Sequence, residues 1–214
     1  VHSLVQYNKV LLQRNKLLKE LFFKPEYEET LDVWDMQLVN YGREVIRFRR
    51  EFIDQLNEII RGIHRSLSGD KEEIEISYEP YTQEDQLADV LKRNRGQDMK
   101  QKTTLSGPHR DDISFIVNGI DIRKFGSQGQ QRTAALSLKL SELELVKRIS
   151  RDEPILLLDD VLSELDSGRQ NHLLSAIQNI QTMITCTGLD DFVNNRFHID
   201  KIFRVIDGTA QNEN

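Results

Sequence analysis

An α/β fold is predicted for the C-terminal half of the chain, with a mainly helical segment in front of it. Three stretches carry this. Ile155 to Leu158 is an uninterrupted apolar run of strand length, opened by Pro154 and closed by Asp159 and Asp160. That is the pattern of a parallel strand buried on both faces. Before it, Ala134, Leu136, Leu138, Leu140, Leu143, Leu145 and Val146 mark an amphipathic helix that ends near Ser150. From Leu4 to Ile63 apolar residues recur near helical spacing in two segments separated by Pro25.

Taken in order, residues 1 to about 24 form the first helix, ended by Pro25 and the acidic run to Glu29. Thr30 or Asp32 caps the next, which runs from about Leu31 to Leu67 with Trp34, Leu38, Val45, Phe52, Leu56 and Ile60 on one side. Two helices joined by a short turn make an antiparallel hairpin. Ile74 to Tyr78 alternates apolar and polar, a short strand. Thr82 and Asp85 form a capping box for a helix to about Asn94. Lys92 to Gly96 and Lys100 to Lys102 read as a basic loop. Ile113 to Val117, Asn118-Gly119 and Ile120 to Ile122 are a β-hairpin signal. Beyond the long helix and the apolar strand, Ser167 opens a helix carrying Leu173, Leu174 and Ile177. Met183 to Thr187 and Ile202 to Ile206 are further strands, and Asp207 to Asn214 is a polar tail. The domain boundary falls between a helical segment, residues 1–95, and an α/β segment, residues 96–214.

The formal net charge of −6 gives no bulk affinity for nucleic acid, so any such surface is a local patch. The one cysteine, Cys186, excludes an internal disulfide and fits a reducing cytoplasm. No stretch is long and apolar enough to span a bilayer, which argues against a membrane partner. The opening VHSLVQYNKV already reads as mid-helix and lacks Met, so the chain is expected to be part of a longer one.

The chemistry-bearing residues cluster late. Gly126-Ser127-Gln128-Gly129-Gln130-Gln131 precedes the long helix. Such a turn puts unpaired N–H groups and the positive end of a helix dipole at one point, an anion site. Gly129 lets a phosphate approach the backbone. The plainer reading is ordinary helix capping. Asp159, at the end of a dry strand, suits a hard Mg²⁺ ion that keeps several waters and takes phosphate oxygens. Asp160 suits the orientation or deprotonation of a water. In Gly107 to Asp112, His109, Asp111 and Asp112 lack a further metal ligand at suitable spacing. Local pairing of the two Asp is the alternative, and Arg110 is a candidate phosphate or cross-subunit contact.

The order of these pieces resembles the second half of an ABC-type ATPase head. Ser127 to Gln130 matches the signature motif, Ile155 to Asp159 the Walker B strand, and Ser163 to Asp166 the D-loop. More narrowly, LSGPHRDDISFIVNG at 105–119, then FGSQGQQRT and LLLDDVLSELD, resembles the bacterial RecF family of SMC-like recombination mediators.

That resemblance implies an ABC-head C-terminal lobe behind a helical arm. Ser127, Gln128, Gly129 and Gln130 would sense the γ-phosphate of ATP held by a second subunit, with Asp166 of the D-loop beside it. Asp159 would hold Mg²⁺ and Asp160 would act on the water. An ATP-dependent homodimer would bind gapped, junction or double-stranded DNA and help load RecA with RecR and RecO. No Gly-x-x-x-x-Gly-Lys-Ser/Thr loop occurs, so this segment alone is expected not to hydrolyse ATP. Asp160 stands where ABC ATPases have Glu, and Thr185-Cys186-Thr187-Gly188 stands where they place a histidine. Both departures imply slow hydrolysis in the complete protein. On the arm and beyond it, Arg47, Arg50, Arg93, Arg95 and Arg110 are the candidate DNA contacts, against the alternative of a solvated face paired with neighbouring acids. Two rivals stand beside this: a non-enzymatic DNA- or partner-binding module, and a transport-type ABC subunit.

Overall fold

The computed structural model describes residues 1–151, 153–186 and 199–212. The described residues fall into two compact units, Val1–Arg61 with Ile74–Ser127, and Gly62–Glu73 with Gln128 onward. The expected boundary at residue 95 does not coincide with this division. The expected α/β class does hold.

In the first unit, α1 (His2–Glu20) and α2 (Leu31–Ser68) flank a 3₁₀ turn at Pro25–Thr30. Ser3 donates to Glu44, while Arg14 reaches Asp35. Rising numbers on one helix meet falling numbers on the other, so the pair is antiparallel, as expected. Thr30 does not serve as a side-chain cap. Its hydroxyl donates back to the Tyr27 carbonyl at 2.6 Å. Tyr7, Val10, Leu38, Val45, Ile46, Leu87 and Leu91 form the core, with Trp34 packed against it.

The helix after β1 (Ile74–Glu79) departs from expectation. α3 spans Leu87–Gln101, starting and ending later than the sequence reading gave. Its N-cap is Gln86 without a side-chain bond, and Thr82 Oγ1 is buried without a partner, so the Thr82–Asp85 box does not form. Burial of Leu87 and Leu91 sets the register instead. The basic run from Lys92 is therefore helical rather than a loop. α3 is held by a buried charge: Arg14, fully buried, donates to Asp35 at 2.6 Å, Asp98 at 2.7 Å and Thr104 at 2.8 Å.

β1, β2 (Asp112–Val117) and β3 (Ile120–Asp121) make an antiparallel sheet in that order. Asn118 and Gly119 both have positive φ, 49° and 81°, as the turn signal predicted. A short helix, α4 (Ile122–Phe125), follows.

The second unit holds the last turns of α2, α5 (Gln128–Ser150), β4 (Leu156–Asp159), α6 (Ser167–Ala176), β5 (Thr182–Thr185), β6 (Phe203–Ile206) and β7 (Thr209–Asn212). β4 and β5 pair in parallel, Asp159 opposite Thr185. Leu67, Leu136, Leu140, Leu156, Leu158, Leu162, Leu165, Leu173 and Ile177 form the core. β4 is not buried on both faces. Leu156 and Leu158 point inward, but Leu157 is 68% exposed beside Met183 at 65%. Alternation along a strand sends them to opposite faces, and among the described residues only one face is covered. The expected polar tail carries a strand: Thr209–Asn212 pairs antiparallel with β6.

Candidate functional site

The parallel strand ends where the sequence reading placed it. Asp159 and Asp160 are both exposed beyond the buried Leu158. Thr185, from the neighbouring strand, orders them. Its hydroxyl donates to Asp159 Oδ1 at 2.5 Å, and its Oγ1 and backbone carbonyl accept from the Asp160 N–H at 3.0 and 3.2 Å. Asp160 takes the left-handed conformation, φ 52°, which turns the chain sharply away from the strand. Ser163 Oγ donates to the Asp160 carbonyl at 2.8 Å and closes that turn. Sequence reasoning placed Thr185 only where a histidine is expected and missed its hold on both acids. The register of the parallel pair was the signal that could have found it. Thr187 and Gly188 lie outside the described residues.

Two exposed carboxylates on a rigid strand end are the hard, anionic oxygen donors that Mg²⁺ takes. Among the described residues no group of three or more His, Cys, Asp or Glu could hold a metal on its own. The donor set therefore fits an ion completed by waters and phosphate oxygens rather than a closed protein site.

Asp166 caps α6. Its Oδ1 accepts from the Arg169 N–H at 3.0 Å, and that hydrogen bond, first among the causes, holds its carboxyl below the usual range. Ser127 and Gln128 are exposed at the start of α5, and Gly129 and Gln130 are half-buried. α5 buries a polar stripe that the apolar count missed: Thr133, Ser137 and Ser141. Each bonds back to the carbonyl four residues earlier, at 2.8, 2.7 and 2.6 Å. Ser137 also meets Nδ1 of the fully buried His64 at 2.9 Å. Burial pushes His64 below its ordinary value.

In the first unit, Gly107 to Asp112 is a structural latch. His109 Nε2 faces the Thr104 carbonyl at 3.0 Å, an acceptor only, so Nε2 carries the proton. Nδ1 then accepts from the Tyr7 hydroxyl at 2.7 Å. Burial, the largest cause, lowers the His109 pKa and raises that of Tyr7. Gly107 has φ +129°, and a Cβ there would lie 2.5 Å from the Tyr7 oxygen. Asp111 accepts from Arg49 at 3.1 Å, from the Tyr81 N–H at 2.9 Å and from the Tyr78 hydroxyl. Asp112 takes Arg123 at 2.7 Å. His109, Asp111 and Asp112 are thus all engaged by protein, but the two Asp pair with Arg49, Tyr78, Tyr81 and Arg123 from elsewhere in the chain, so the expected local pairing within the turn is replaced by long-range contacts.

The arginines differ in kind. Arg47, Arg50, Arg93 and Arg110 are exposed. Arg47 lies over the Phe48 ring, and Arg50 donates to Gln83 at 3.0 Å. Arg95 is instead a structural cation, paired with Asp35 at 2.6 Å and with Asp32. Arg43 and Arg49 bond Glu84 and Pro108 carbonyls. None of these pairings is with a neighbouring acid on the same helix, as the solvated-face alternative expected.

No family model matches the chain. It is 56% identical over 209 residues to "DNA replication and repair protein RecF" of Agathobacter rectalis, covering 98% of the chain and 58% of that relative. It is 56% identical over 214 residues to the protein of the same name from Lachnospira eligens, covering 99% of the chain and 59% of the relative. The match from Clostridium perfringens is 45% identical over 215 residues. The chain belongs to the RecF family. It spans a little under three fifths of the length of these relatives. Among solved structures it superposes on that of the recombination mediator protein RecF–ATP in the RecFOR pathway, with TM-score 0.85 and 35% identity over 99% of this chain and 57% of that one. It matches the RecF–ATPrS structure with TM-score 0.84 and 34% identity. The resemblance drawn from residues 105–166 is borne out, and with it the ABC-head character of the fold.

Proposed function

We propose that this chain supplies one half of a composite ATP site in a DNA repair and recombination protein. The observation that carries the reading is the exposed Asp159–Asp160 pair, locked by Thr185 at the carboxyl end of a parallel strand, in a chain that superposes on an ATP complex of the same family. Asp159 holds Mg²⁺, which when bound draws charge from the phosphate oxygens. Asp160 orients the attacking water. Ser127, Gln128, Gly129 and Gln130 meet the γ-phosphate of a nucleotide held by a second copy, with Asp166 beside them, so ATP closes a homodimer.

Joined to the phosphate loop that its own sequence lacks, the chain is a slow ATPase. Alone it is a binding module. The exposed Arg47, Arg50, Arg93 and Arg110 follow the phosphates of gapped, junction or duplex DNA, and Arg95 shapes α3 behind them. The dimer acts in the cytoplasm with RecO and RecR to help load RecA. No helix of the described residues is long and apolar enough to cross a membrane, and a transport role has no support among relatives named for replication and repair.

The test is Ser127→Arg in a polypeptide of the relatives' full length. ATP still binds the monomer, but ATP-induced dimerisation, followed by light scattering, is lost. Dimerisation at the unsubstituted level would remove the trans role of the turn.

A further inference from the structure

We infer that Arg169 is a positioning residue that clasps the first turn of α5 to the Asp166 end of the D-loop. This rests on the reading that both segments serve a nucleotide held by a second copy. Gly129 was assigned above to the approach of a phosphate. On its Cα side the space is filled by Arg169: a Cβ built at Gly129 would lie 2.3 Å from a guanidinium nitrogen, Nη1. Glycine here admits the arginine.

The guanidinium is one station in a closed ring of contacts within the second unit. Arg169 Nη2 lies 3.9 Å from Glu72 Oε1, and Glu72 Oε2 lies 3.3 Å from His64 Nε2 without a hydrogen bond between them. His64 Nδ1 meets Ser137 Oγ at 2.9 Å, Ser137 donates to the Thr133 carbonyl at 2.7 Å, and Thr133 donates to the Gly129 carbonyl at 2.8 Å. The ring thus returns to the residue over which the guanidinium sits. A side branch joins the D-loop, since Arg169 Nε lies 3.6 Å from Asp166 Oδ2 and its backbone N–H donates to Oδ1 at 3.0 Å.

Three pieces of chain far apart in sequence meet at this side chain: the end of α2 with its following loop, the start of α5, and the start of α6. Bonds inside α5 are short, whereas both ionic contacts of Arg169 exceed hydrogen-bond length. Arg169 and Glu72 are therefore the loosely bonded members of the ring. The planar guanidinium turns three different nitrogens to three places, Nη2 to Glu72, Nε to Asp166 and Nη1 to Gly129, where an ammonium has a single nitrogen. Arg169 sets the angle between the signature turn and the D-loop, so that one partner nucleotide meets both.

The experiment is a double-mutant cycle in a full-length polypeptide, reading ATP-induced dimerisation by sedimentation, with monomer ATP affinity and the thermal midpoint measured beside it. Arg169→Ala is expected to weaken dimerisation roughly tenfold, within the usual range of coupling between sites. Its monomer ATP affinity is expected to stay within about twofold of the parent, below the scale of a lost charged contact. Gly129→Ala evicts the guanidinium and should give a similar loss. The double variant should be little worse than either single one, because both remove one contact. Arg169→Lys should fail to restore full dimerisation. If Arg169→Ala lowers the thermal midpoint too far to be read, Glu72→Gln carries the test, with an expected loss of about threefold for one weakened ionic contact. Additive losses in the cycle, or unchanged dimerisation in Arg169→Ala and Glu72→Gln while Ser127→Arg abolishes it, overturn the clasp and leave the trans reading intact. Unchanged dimerisation in Ser127→Arg overturns both.

Discussion

Arg14→Met in the 214-residue chain isolates the cost of a buried charge. Arg14 and Asp98 are both fully buried, and Asp98 is also tied to the Leu105 N–H at 3.0 Å. Removing the guanidinium leaves Asp35 with Arg95 but leaves Asp98 with no cation partner among the described residues. Breaking such a pair typically costs about 3–5 kcal/mol. With a urea dependence of about 2–3 kcal/mol per M, the midpoint should fall by roughly 1–2.5 M. The assay has a local reporter, because the one tryptophan, Trp34, neighbours Asp35 on α2 and packs on the first unit's core. Its fluorescence follows that unit without assuming that both units melt together. Arg14→Met with Asp98→Asn should recover at least about half of the loss, since no buried charge is then stranded. A midpoint within about 0.3 M of the parent for Arg14→Met alone, well under the expected shift, would refute the argument.

The latch around His109 makes the same unit sensitive to acid. His109 is neutral when folded, with a pKa below its ordinary 6.5, so the unfolded chain binds the extra proton first. Its contribution is intact above pH 6.5 and is lost as pH falls through the lowered value. The Trp34-reported urea midpoint should drop between pH 7 and pH 5, and His109→Gln should flatten that drop; an equal drop in both would count against the assignment. Thr185→Val removes the hydroxyl shared by both acids, and in a full-length polypeptide it should slow ATP turnover about tenfold, the effect of about one lost charged hydrogen bond. Unchanged turnover would show that Asp159 and Asp160 need no such support.

Much of this was legible because local patterns and tertiary demands agreed. The Asn118-Gly119 turn, the α1–α2 hairpin and the apolar strand stopping at Asp159 each carry a signal within a few residues. The misreadings arose where distant residues decide. α3 takes its limits from burial of Leu87 and Leu91 and from the Asp98–Arg14 pair, so the Thr82–Asp85 capping pattern lost to packing. Arg95 looked like a phosphate contact because its two acids lie sixty or more positions away. Thr185 and Arg169 escaped for the same reason. Each acts on a residue of another element, and one-dimensional spacing holds no record of parallel register or of a guanidinium over a glycine.

The outward pairing of Leu157 with Met183 bears on how the chain behaves at the bench. Greasy side chains standing side by side on a sheet face that no described residue covers attract solvatochromic probes such as anilinonaphthalene sulfonate while the fold is intact. A dye-reported melt of this polypeptide should start from a bright baseline, and Leu157→Thr should dim it without shifting the Trp34 transition.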